Sequence, residues 1–248
     1  MTFSAGLAAS GLVPVYAVYS TFAQRIYDQV IHDGSIEKRH VVLALDRAGV
    51  VGDDGETHQG LFDVAMLSNV PDMVIYSPSN YRELCQCMDE AIYHHEGICA
   101  VRYPRGSEPS IPSKYLPDGV EYGLFGPKDA KKLLVTYGRL YGEACRVAQR
   151  FEERGESIAL LKLTQICPIP SEWIELMASY PEIYVVEEGI QHGGLGEHLA
   201  SRLLLMGYQG RYHLRAVDNH FVPQAKVDHA LKKLGMDADS IEQWMRCQ

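Results

Sequence analysis

The densest group of polar and glycine residues lies in the segment DRAGVVGDDGETHQGLFD, residues 46–63. It contains Arg47, Asp54 and His58, and it directly follows the apolar run HVVLALD, which predicts a strand. Loops at the carboxyl ends of strands are where open α/β sheets bind ligands. The guanidinium group of arginine matches the oxygens of phosphate and carboxylate groups. The segment therefore predicts a site for a small anionic ligand.

Two further segments follow predicted strands in the same way. Arg102 and Arg105 come at the end of GICAVRYP and just after it, and the run YSTFAQR, residues 19–25, follows the first predicted strand. Tyr19 and Phe22 in that run offer flat aromatic faces to a heteroaromatic ring. Taken together, the three segments predict an anionic ligand that also carries an aromatic ring.

Each of these patterns also has a structural explanation. Arginine, aspartate and glycine in a loop are more often solvated turn residues, and an aromatic pair at this spacing is more often core. His58 on its own indicates little. The run G-D-D-G at 52–55 with Asn80 downstream resembles a magnesium-diphosphate motif, but Asn80 follows a strand and a Ser-Pro turn and is better interpreted as a helix N-cap.

The elements that must position these residues follow a β-α-β rhythm. The apolar runs are nearly continuous, as is typical of parallel strands covered by helices on both faces. Helices are predicted between the strands, at 139–154, 170–180 and 194–206, with a last helix from Pro223. The predicted strands lie at 13–20, 40–46, 72–79, 97–104, 131–138, 157–164, 182–189 and 211–217.

The segment at 107–127 is rich in Pro, Gly and Ser and is interpreted as a connection between two α/β domains. The fold class is accordingly α/β, with two three-layer domains and mostly parallel sheets. A net charge of -9 and a pI near 5.6 provide no basic field for nucleic acid. No apolar run is long enough for a membrane span, and six irregularly spaced cysteines indicate reduced thiols in a soluble intracellular protein.

Three motifs in order make the sequence specific: YSTF-x-QR-x-YDQ, DRAG-x-VG-x-DG-x-THQG and VRYPRG. With VPQAKVDHALKKLGMD near the carboxyl end, they resemble the second half of the 1-deoxy-D-xylulose-5-phosphate synthases, a transketolase-like family. The resemblance spans nearly the whole chain. It implies a pyrimidine-binding domain over 1–108, a linker over 109–127 and a transketolase C-terminal domain over 128–248.

The resemblance also implies a role for particular residues. Phe22 would stack on the aminopyrimidine ring of thiamine diphosphate, with Tyr19 and Arg25 nearby in the active site. Arg47 and Arg105 would bind the phosphate of D-glyceraldehyde 3-phosphate, and Arg25 is the third expected substrate-binding residue.

His58 and Asp54 would lie beside the reacting carbons, where an imidazole can accept or donate a proton near neutral pH. With Tyr19 they form the expected catalytic group, and no metal ligand is expected in this chain.

The family condenses pyruvate with D-glyceraldehyde 3-phosphate, using thiamine diphosphate and Mg²⁺, in isoprenoid, thiamine and pyridoxal biosynthesis. The cofactor-activating glutamate of the family and its diphosphate-binding domain with the magnesium motif have no counterpart in this sequence. We therefore expect a portion of a larger enzyme that is inactive alone and acts with a diphosphate-binding portion. A homodimer and a bacterial cytoplasmic location, or a plastid one, are further expectations from the resemblance.

Two other functions fit parts of the sequence. The β subunit of a 2-oxo-acid dehydrogenase has the same two domains on a separate chain, which would explain the length of this sequence. The motifs DRAG…THQG and VRYPRG nevertheless favour the synthase. The alternative that is not an enzyme is a non-catalytic transketolase-like chain that scaffolds or regulates a partner. The turn EEGIQHGGLGEHLA, residues 187–200, resembles a phosphate-binding or metal-binding turn, but it is interpreted as structural, at the domain and subunit contacts.

Overall fold

The computed structural model describes residues 1–117 and 121–247, which form two five-stranded sheets with helices around them. The first sheet has the order β1-β2-β4-β3-β8, and the second has the order β10-β9-β6-β7-β5. The strands are β1 Val15–Tyr19, β2 Val42–Asp46, β3 Val74–Tyr76, β4 Cys99–Arg102, β5 Tyr122–Phe125, β6 Lys132–Tyr137, β7 Ala159–Leu163, β8 Gln165–Cys167, β9 Glu182–Ile190 and β10 Arg211–Val217.

Helices cover both sheets. A continuous helical segment follows β1, made of a 3-10 turn at Ser20–Ile26, a short α-helix α2 and a π-helical turn at Val30–Ile36. Helix α4 also continues into a π-helical turn, at Glu90–His94. The α-helices are α1 Thr2–Ala9, α2 Tyr27–Gln29, α3 Asp63–Leu67, α4 Tyr81–Asp89, α5 Leu140–Glu153, α6 Ser171–Ala178, α7 Leu195–Met206, α8 Val227–Lys233 and α9 Ala238–Cys247.

The predicted strands are all present and pair in parallel within each sheet, so the α/β fold class is confirmed. The two antiparallel pairings involve strands that the sequence did not reveal. Strand β5 lies inside the predicted connection and pairs with β7, while β8 follows β7 directly and pairs with β3 of the first sheet. Residues 118–120 of the predicted connection lie outside the described residues.

These two strands change the interpretation of the connection. The Pro-Gly-Ser composition predicted an irregular segment, yet the run YGLF forms the edge strand β5. Strand β8 directly follows β7 of the second sheet in the chain, but it forms the edge strand of the first sheet. Strand pairing therefore joins the two halves of the chain. A boundary drawn on sequence alone therefore separates strands that hydrogen bonds hold together.

The single helix predicted from Pro223 is two helices instead. Helix α8 ends at Lys233, and Gly235 adopts a φ of +71° before α9 begins. Glycine takes this left-handed conformation without the penalty that a Cβ would add, so it ends α8 and lets the chain reverse. The predicted helices at 139–154, 170–180 and 194–206 correspond to α5, α6 and α7.

A continuous core joins the two sheets. Leu43 and Leu45 of β2 belong to the same buried apolar cluster as Leu161 of β7, Trp173 of α6 and Val185 of β9. Burying each such side chain contributes about 2 kcal/mol to stability. This shared core holds the carboxyl ends of the first sheet in a fixed position against the second.

Within the described residues, no helix is long and apolar enough to cross a bilayer.

Candidate active site at the strand ends

The carboxyl ends of β1, β2 and β4 meet at one edge of the first sheet. Tyr19 at the end of β1 pairs in register with Asp46 at the end of β2, and Leu45 pairs with Arg102 at the end of β4. Because these strands are parallel neighbours, the segments that follow them emerge side by side. The three segments singled out in the sequence therefore lie together in the fold.

Aromatic rings form one part of this edge. The rings of Tyr19 and Phe22 are stacked with centroids 5.6 Å apart, and the imidazole of His58 meets Phe22 edge-on at 5.3 Å. The guanidinium carbon of Arg25 lies 5.2 Å from the Phe22 centroid. Tyr19, Phe22 and His58 are only partly buried, so this ring cluster remains open to a ligand from solvent.

Charged side chains form the other part. The guanidinium carbon of Arg47 lies 3.8 Å from the Tyr19 centroid, and its Nε is 3.7 Å from Asp54 Oδ2. Arg105 Nη1 donates a hydrogen bond of 2.9 Å to the same oxygen of Asp54. Arg47 also forms an ion pair with Asp46. Two arginines thus converge on one carboxylate that is itself partly exposed.

The seven residues to which the resemblance assigns roles are brought together by these contacts. We call them the strand-end cluster, which consists of Tyr19, Phe22, Arg25, Arg47, Asp54, His58 and Arg105. A cavity of about 370 Å³ lies beside the cluster, with Arg47, Arg105, Asp46, Asn80 and Tyr103 among its lining residues. A small phosphorylated molecule fits a cavity of this size.

Arg102 does not join the cluster, although the sequence placed it with Arg105. Its side chain is 4% exposed, and its Nε and Nη2 donate to the two oxygens of Asp63 at 2.8 and 3.2 Å. Arg102 is the last residue of β4 and points into the core, whereas Arg105 lies three positions later in the exposed loop. Arg102 Nη1 also donates to Ser77 Oγ at 3.3 Å, so the buried guanidinium is bound by the core and is turned away from a ligand at the surface.

Residues that the sequence did not assign to the site also shape it. Asp46 closes β2 and pairs with Arg47, and Tyr103 and Asn80 line the cavity. Asp46 and Tyr103 adjoin predicted site residues along the chain, and this proximity was the available signal. Asn80 is the N-cap of α4, as predicted, because its Oδ1 accepts a hydrogen bond of 2.9 Å from the backbone N–H of Glu83.

His58 is held by its neighbours in the loop. The hydroxyl Oγ1 of Thr57 lies 2.9 Å from Nδ1 of His58, and Oγ1 of Thr21 donates to the carbonyl oxygen of Thr57 at 3.2 Å. The imidazole therefore has one nitrogen engaged and presents its ring to Phe22. A ligand that stacks at the aromatic cluster would lie beside an imidazole that can exchange a proton.

A buried carboxylate of β9 binds backbone amides of the glycine-rich turn that follows the strand. Glu187 accepts hydrogen bonds from the backbone N–H groups of Leu195 and Gly196 at 3.0 and 2.8 Å, and from the hydroxyl of Tyr137 at 3.0 Å. Those amides are consequently unavailable to a phosphate. In the part of the chain that the structure describes, no group of three or more His, Cys, Asp or Glu side chains could hold a metal ion.

Two family models match the chain. The transketolase pyrimidine binding domain matches residues 1–109, and the transketolase C-terminal domain matches residues 126–241. The chain belongs to the transketolase-like family. Among solved structures, a split-gene transketolase described as an inactive β4 tetramer matches with a TM-score of 0.82 at 21% identity, over 97% of this chain and 78% of that one. The transketolase of Campylobacter jejuni matches with a TM-score of 0.79 at 15% identity, over 99% of this chain and 37% of that one.

Curated relatives narrow the resemblance within this transketolase-like family. The 1-deoxy-D-xylulose-5-phosphate synthase of Cronobacter sakazakii is 38% identical over 250 residues, which cover 99% of this chain and 39% of that protein. The synthase of Salmonella paratyphi B is 38% identical over 246 residues, covering 98% of this chain and 38% of that protein. The resemblance to the synthases drawn from the three motifs is confirmed. The chain spans about two fifths of the length of these relatives.

Proposed function

We propose that this chain is the substrate-binding portion of a thiamine-diphosphate-dependent 1-deoxy-D-xylulose-5-phosphate synthase. The enzyme condenses pyruvate with D-glyceraldehyde 3-phosphate and releases carbon dioxide. The convergence of an open aromatic cluster with two arginines at one sheet edge carries the proposal. The synthase relatives, at 38% identity over nearly the whole chain, support it.

The residues of the strand-end cluster fit the aromatic part of the cofactor. Tyr19 and Phe22 present partly exposed, stacked rings, on which the aminopyrimidine would lie, with Arg25 at the edge. When bound, thiamine diphosphate supplies the electron sink for loss of carbon dioxide from a 2-oxo acid. We expect the residues that hold its diphosphate and Mg²⁺ on a further portion of the enzyme, because the relatives are longer than the match.

Arg47 and Arg105 fit the phosphate of the aldehyde substrate. Both guanidinium groups line the cavity and face Asp54, so they already meet around one negatively charged group. Arg47 is further fixed by its stacking on Tyr19. A phosphate in the cavity would receive charge-assisted hydrogen bonds from both arginines, which orients the aldehyde carbon toward the aromatic cluster.

His58 and Asp54 then lie between the two parts of the site. His58 contacts Phe22, and Asp54 contacts both arginines. We assign to His58 the transfer of protons to and from the reacting oxygen, because its imidazole is partly exposed beside the aromatic cluster. Asp54 orients the arginines and the hydroxyl of the aldehyde substrate. A homodimeric assembly in the bacterial cytoplasm completes the proposal, since the named relatives are bacterial.

A direct test measures carbon dioxide release from pyruvate by this chain combined with a chain that carries the diphosphate-binding domain, in thiamine diphosphate and Mg²⁺. We expect release that depends on D-glyceraldehyde 3-phosphate. Equal release with and without the aldehyde would count against the synthase and favour a 2-oxo-acid dehydrogenase subunit. No release under any condition would favour a non-catalytic role. Light scattering of the same preparation measures the expected dimer.

A second test needs no catalysis. Isothermal titration calorimetry measures binding of D-glyceraldehyde 3-phosphate to the full chain and to the variant Arg105→Ala. We expect affinity to fall at least about tenfold in the variant, because a charge-assisted hydrogen bond contributes about 1.5 kcal/mol or more. Lys131→Ala, at an exposed cation outside the cluster, is the matched control. Equal affinities in both variants would remove Arg105 from the phosphate site.

A further inference from the structure

Two residues of the second sheet and its helix hold the backbone of the loop that carries Asp54 and His58. Glu188 lies near the end of β9, and its Oε1 accepts a hydrogen bond of 2.7 Å from the N–H of Val50. Arg139 precedes α5, and its Nη2 donates a hydrogen bond of 2.7 Å to the carbonyl oxygen of Val50. Both polar groups of one loop residue are therefore bound from the other half of the molecule.

Glu188 and Arg139 also bind each other. Arg139 donates to both oxygens of Glu188, through Nη2 to Oε1 and through Nε to Oε2, the latter at 3.3 Å. The two side chains are 5% and 13% exposed, so water screens the pair weakly. The pair and the peptide groups of Val50 form a closed ring of hydrogen bonds. We call this arrangement the Glu188–Arg139 clamp.

Gly49 makes the approach of the clamp possible. Its φ is +80°, and a Cβ there would lie 2.5 Å from the carboxyl carbon of Glu188 and 2.7 Å from each of its oxygens. Only glycine allows the carboxylate this close to the loop. Gly49 and Gly60 exchange backbone hydrogen bonds of 2.7 and 2.8 Å, which close the loop at its base. The clamp therefore acts where the loop begins.

The same loop rests on the second half of the chain at further points. Gln59 is buried; its Oε1 accepts from the N–H of Val51 at 2.6 Å, and its Nε2 donates to the carbonyl oxygen of Val222 at 3.3 Å. Gln224 Nε2 donates to the carbonyl oxygen of Asp53 at 2.9 Å. The base of the loop is thus fixed, while Asp54 at its tip is exposed.

We propose that Glu188 and Arg139 are positioning residues for the active site: through Val50 they set the conformation of the loop that carries Arg47, Asp54 and His58. Val50 lies between Arg47 and Asp54 in the chain, so a shift of its peptide groups moves both sides of the phosphate site. In the part of the chain that the structure describes, no hydrogen bond or ion pair joins either clamp residue to the strand-end cluster. The expected effect of the clamp on substrate binding and turnover rests on the proposed function. Its expected effect on the conformation of the loop does not.

Hydrogen-exchange mass spectrometry on the full chain without cofactor tests the clamp. The variant Glu188→Ala removes the acceptor of Val50, and Glu188→Gln keeps a neutral oxygen in its place. We expect exchange in the segment 47–60 to become about tenfold faster or more in Glu188→Ala and to be intermediate in Glu188→Gln. Glu182→Ala is the matched control, because Glu182 is a buried glutamate on the same strand that binds Lys132 and His213.

The same variants separate positioning from general stability. Affinity for D-glyceraldehyde 3-phosphate, measured by calorimetry, should fall about tenfold in Glu188→Ala, while Glu182→Ala binds as the unchanged protein does even if its Tm falls equally. In the active enzyme, kcat should fall with the affinity. Unchanged exchange in 47–60, or equally faster exchange in Glu182→Ala, would overturn the clamp. An unchanged chain that neither binds the aldehyde nor turns over would overturn the proposed function, and the exchange result would still decide the clamp.

Discussion

Lys162 Nζ lies 2.5 Å from Glu83 Oε2, and both side chains are completely buried. Glu83 belongs to α4, beside the first sheet, whereas Lys162 belongs to β7 of the second. Lys162 also donates to Thr164 Oγ1, and Glu83 Oε2 accepts from the N–H of Ser79 at 2.7 Å. Burial lowers the pKa of Lys162, and the Glu83 carboxylate opposes that shift. This ion pair joins the two sheets inside the protein.

Removing one partner should destabilise the protein strongly. We expect Glu83→Ala to lower the free energy of unfolding by about 3–5 kcal/mol, because Lys162 would remain buried without its partner. Urea denaturation followed by circular dichroism measures the change. The double variant Glu83→Met with Lys162→Met should lose less, since no unpaired charge remains.

An exposed pair serves as the comparison. Lys114 and Glu152 are about half exposed, so Lys114→Ala should cost no more than about 1 kcal/mol. If the double methionine variant is as unstable as Glu83→Ala, the buried pair stabilises the fold by more than the cost of its burial, contrary to this prediction.

Stability should depend on pH through Glu187. Burial raises the pKa of this carboxyl from 4.5 to about 7, although the N–H of Gly196 and the hydroxyl of Tyr137 act in the opposite direction. Between these values the folded state holds more protons than the unfolded state, so the free energy of unfolding falls as pH rises. The contribution is fully present below pH 4.5 and is lost by about pH 7, and it amounts to about 3 kcal/mol.

The variant Glu187→Gln removes the titrating group and keeps an acceptor oxygen for one of the two backbone N–H donors, Leu195 or Gly196. We expect its free energy of unfolding to fall less between pH 4.5 and pH 7 than that of the unchanged protein. Chemical denaturation at a series of pH values measures this. Glu175→Gln, at an exposed carboxyl of α6, should keep the original dependence. Identical pH profiles for both variants would show that Glu187 is not responsible.

Substitutions in the strand-end cluster should separate turnover from substrate binding. His58→Ala should lower kcat by about a hundredfold or more while changing cofactor affinity little, because the lost group transfers protons. Steady-state kinetics of the active enzyme, with cofactor affinity from fluorescence titration, measure both quantities. A loss that appears mainly in cofactor affinity would make His58 a binding residue instead.

Arg105→Ala should act differently from His58→Ala. Its guanidinium contacts Asp54 at the edge of the cavity, and it is 46% exposed. We expect the KM for D-glyceraldehyde 3-phosphate to rise about tenfold or more while the KM for pyruvate stays the same. Initial rates with each substrate varied in turn measure this. Unchanged kinetics would remove the phosphate assignment.

Asn80 should stabilise α4 from its N-terminus. Its side chain accepts from the N–H of Glu83, so Asn80→Ala should cost about 1 kcal/mol and Asn80→Asp should cost little. Thermal unfolding measures both. Equal losses in the two variants would indicate that the amide group, rather than the acceptor oxygen, matters here.

The clustering of the candidate site residues could be predicted because their strands are parallel and adjacent. Parallel strands bring their carboxyl ends to one edge, so residues that directly follow strands, such as Tyr19 and Arg47, meet wherever their strands are neighbours. Arg102 and Arg105 show the limit of this reasoning. Both follow the same pattern in the sequence, but whether a side chain at a strand end turns into the core depends on what lies beneath it, here Asp63.

Contacts between segments that are distant along the chain could not be predicted from the sequence. Strand β8 has three residues, and its pairing with β3 depends on where the second sheet lies, not on its own composition. The partners of Val50 lie on β9 and before α5, far along the chain. Nothing in the periodicity of either segment indicates such a pairing.

The sequence by itself determined the α/β class and the strands that carry the candidate site. Its motifs also showed the resemblance to the synthases. These depend on local periodicity and on residue types at strand ends, which are properties of short segments. Only the tertiary structure decided that Arg102 is buried, that β8 joins the two halves, and that Glu188 and Arg139 bind the backbone of Val50. Those outcomes depend on burial and on hydrogen bonds between segments that only folding brings together.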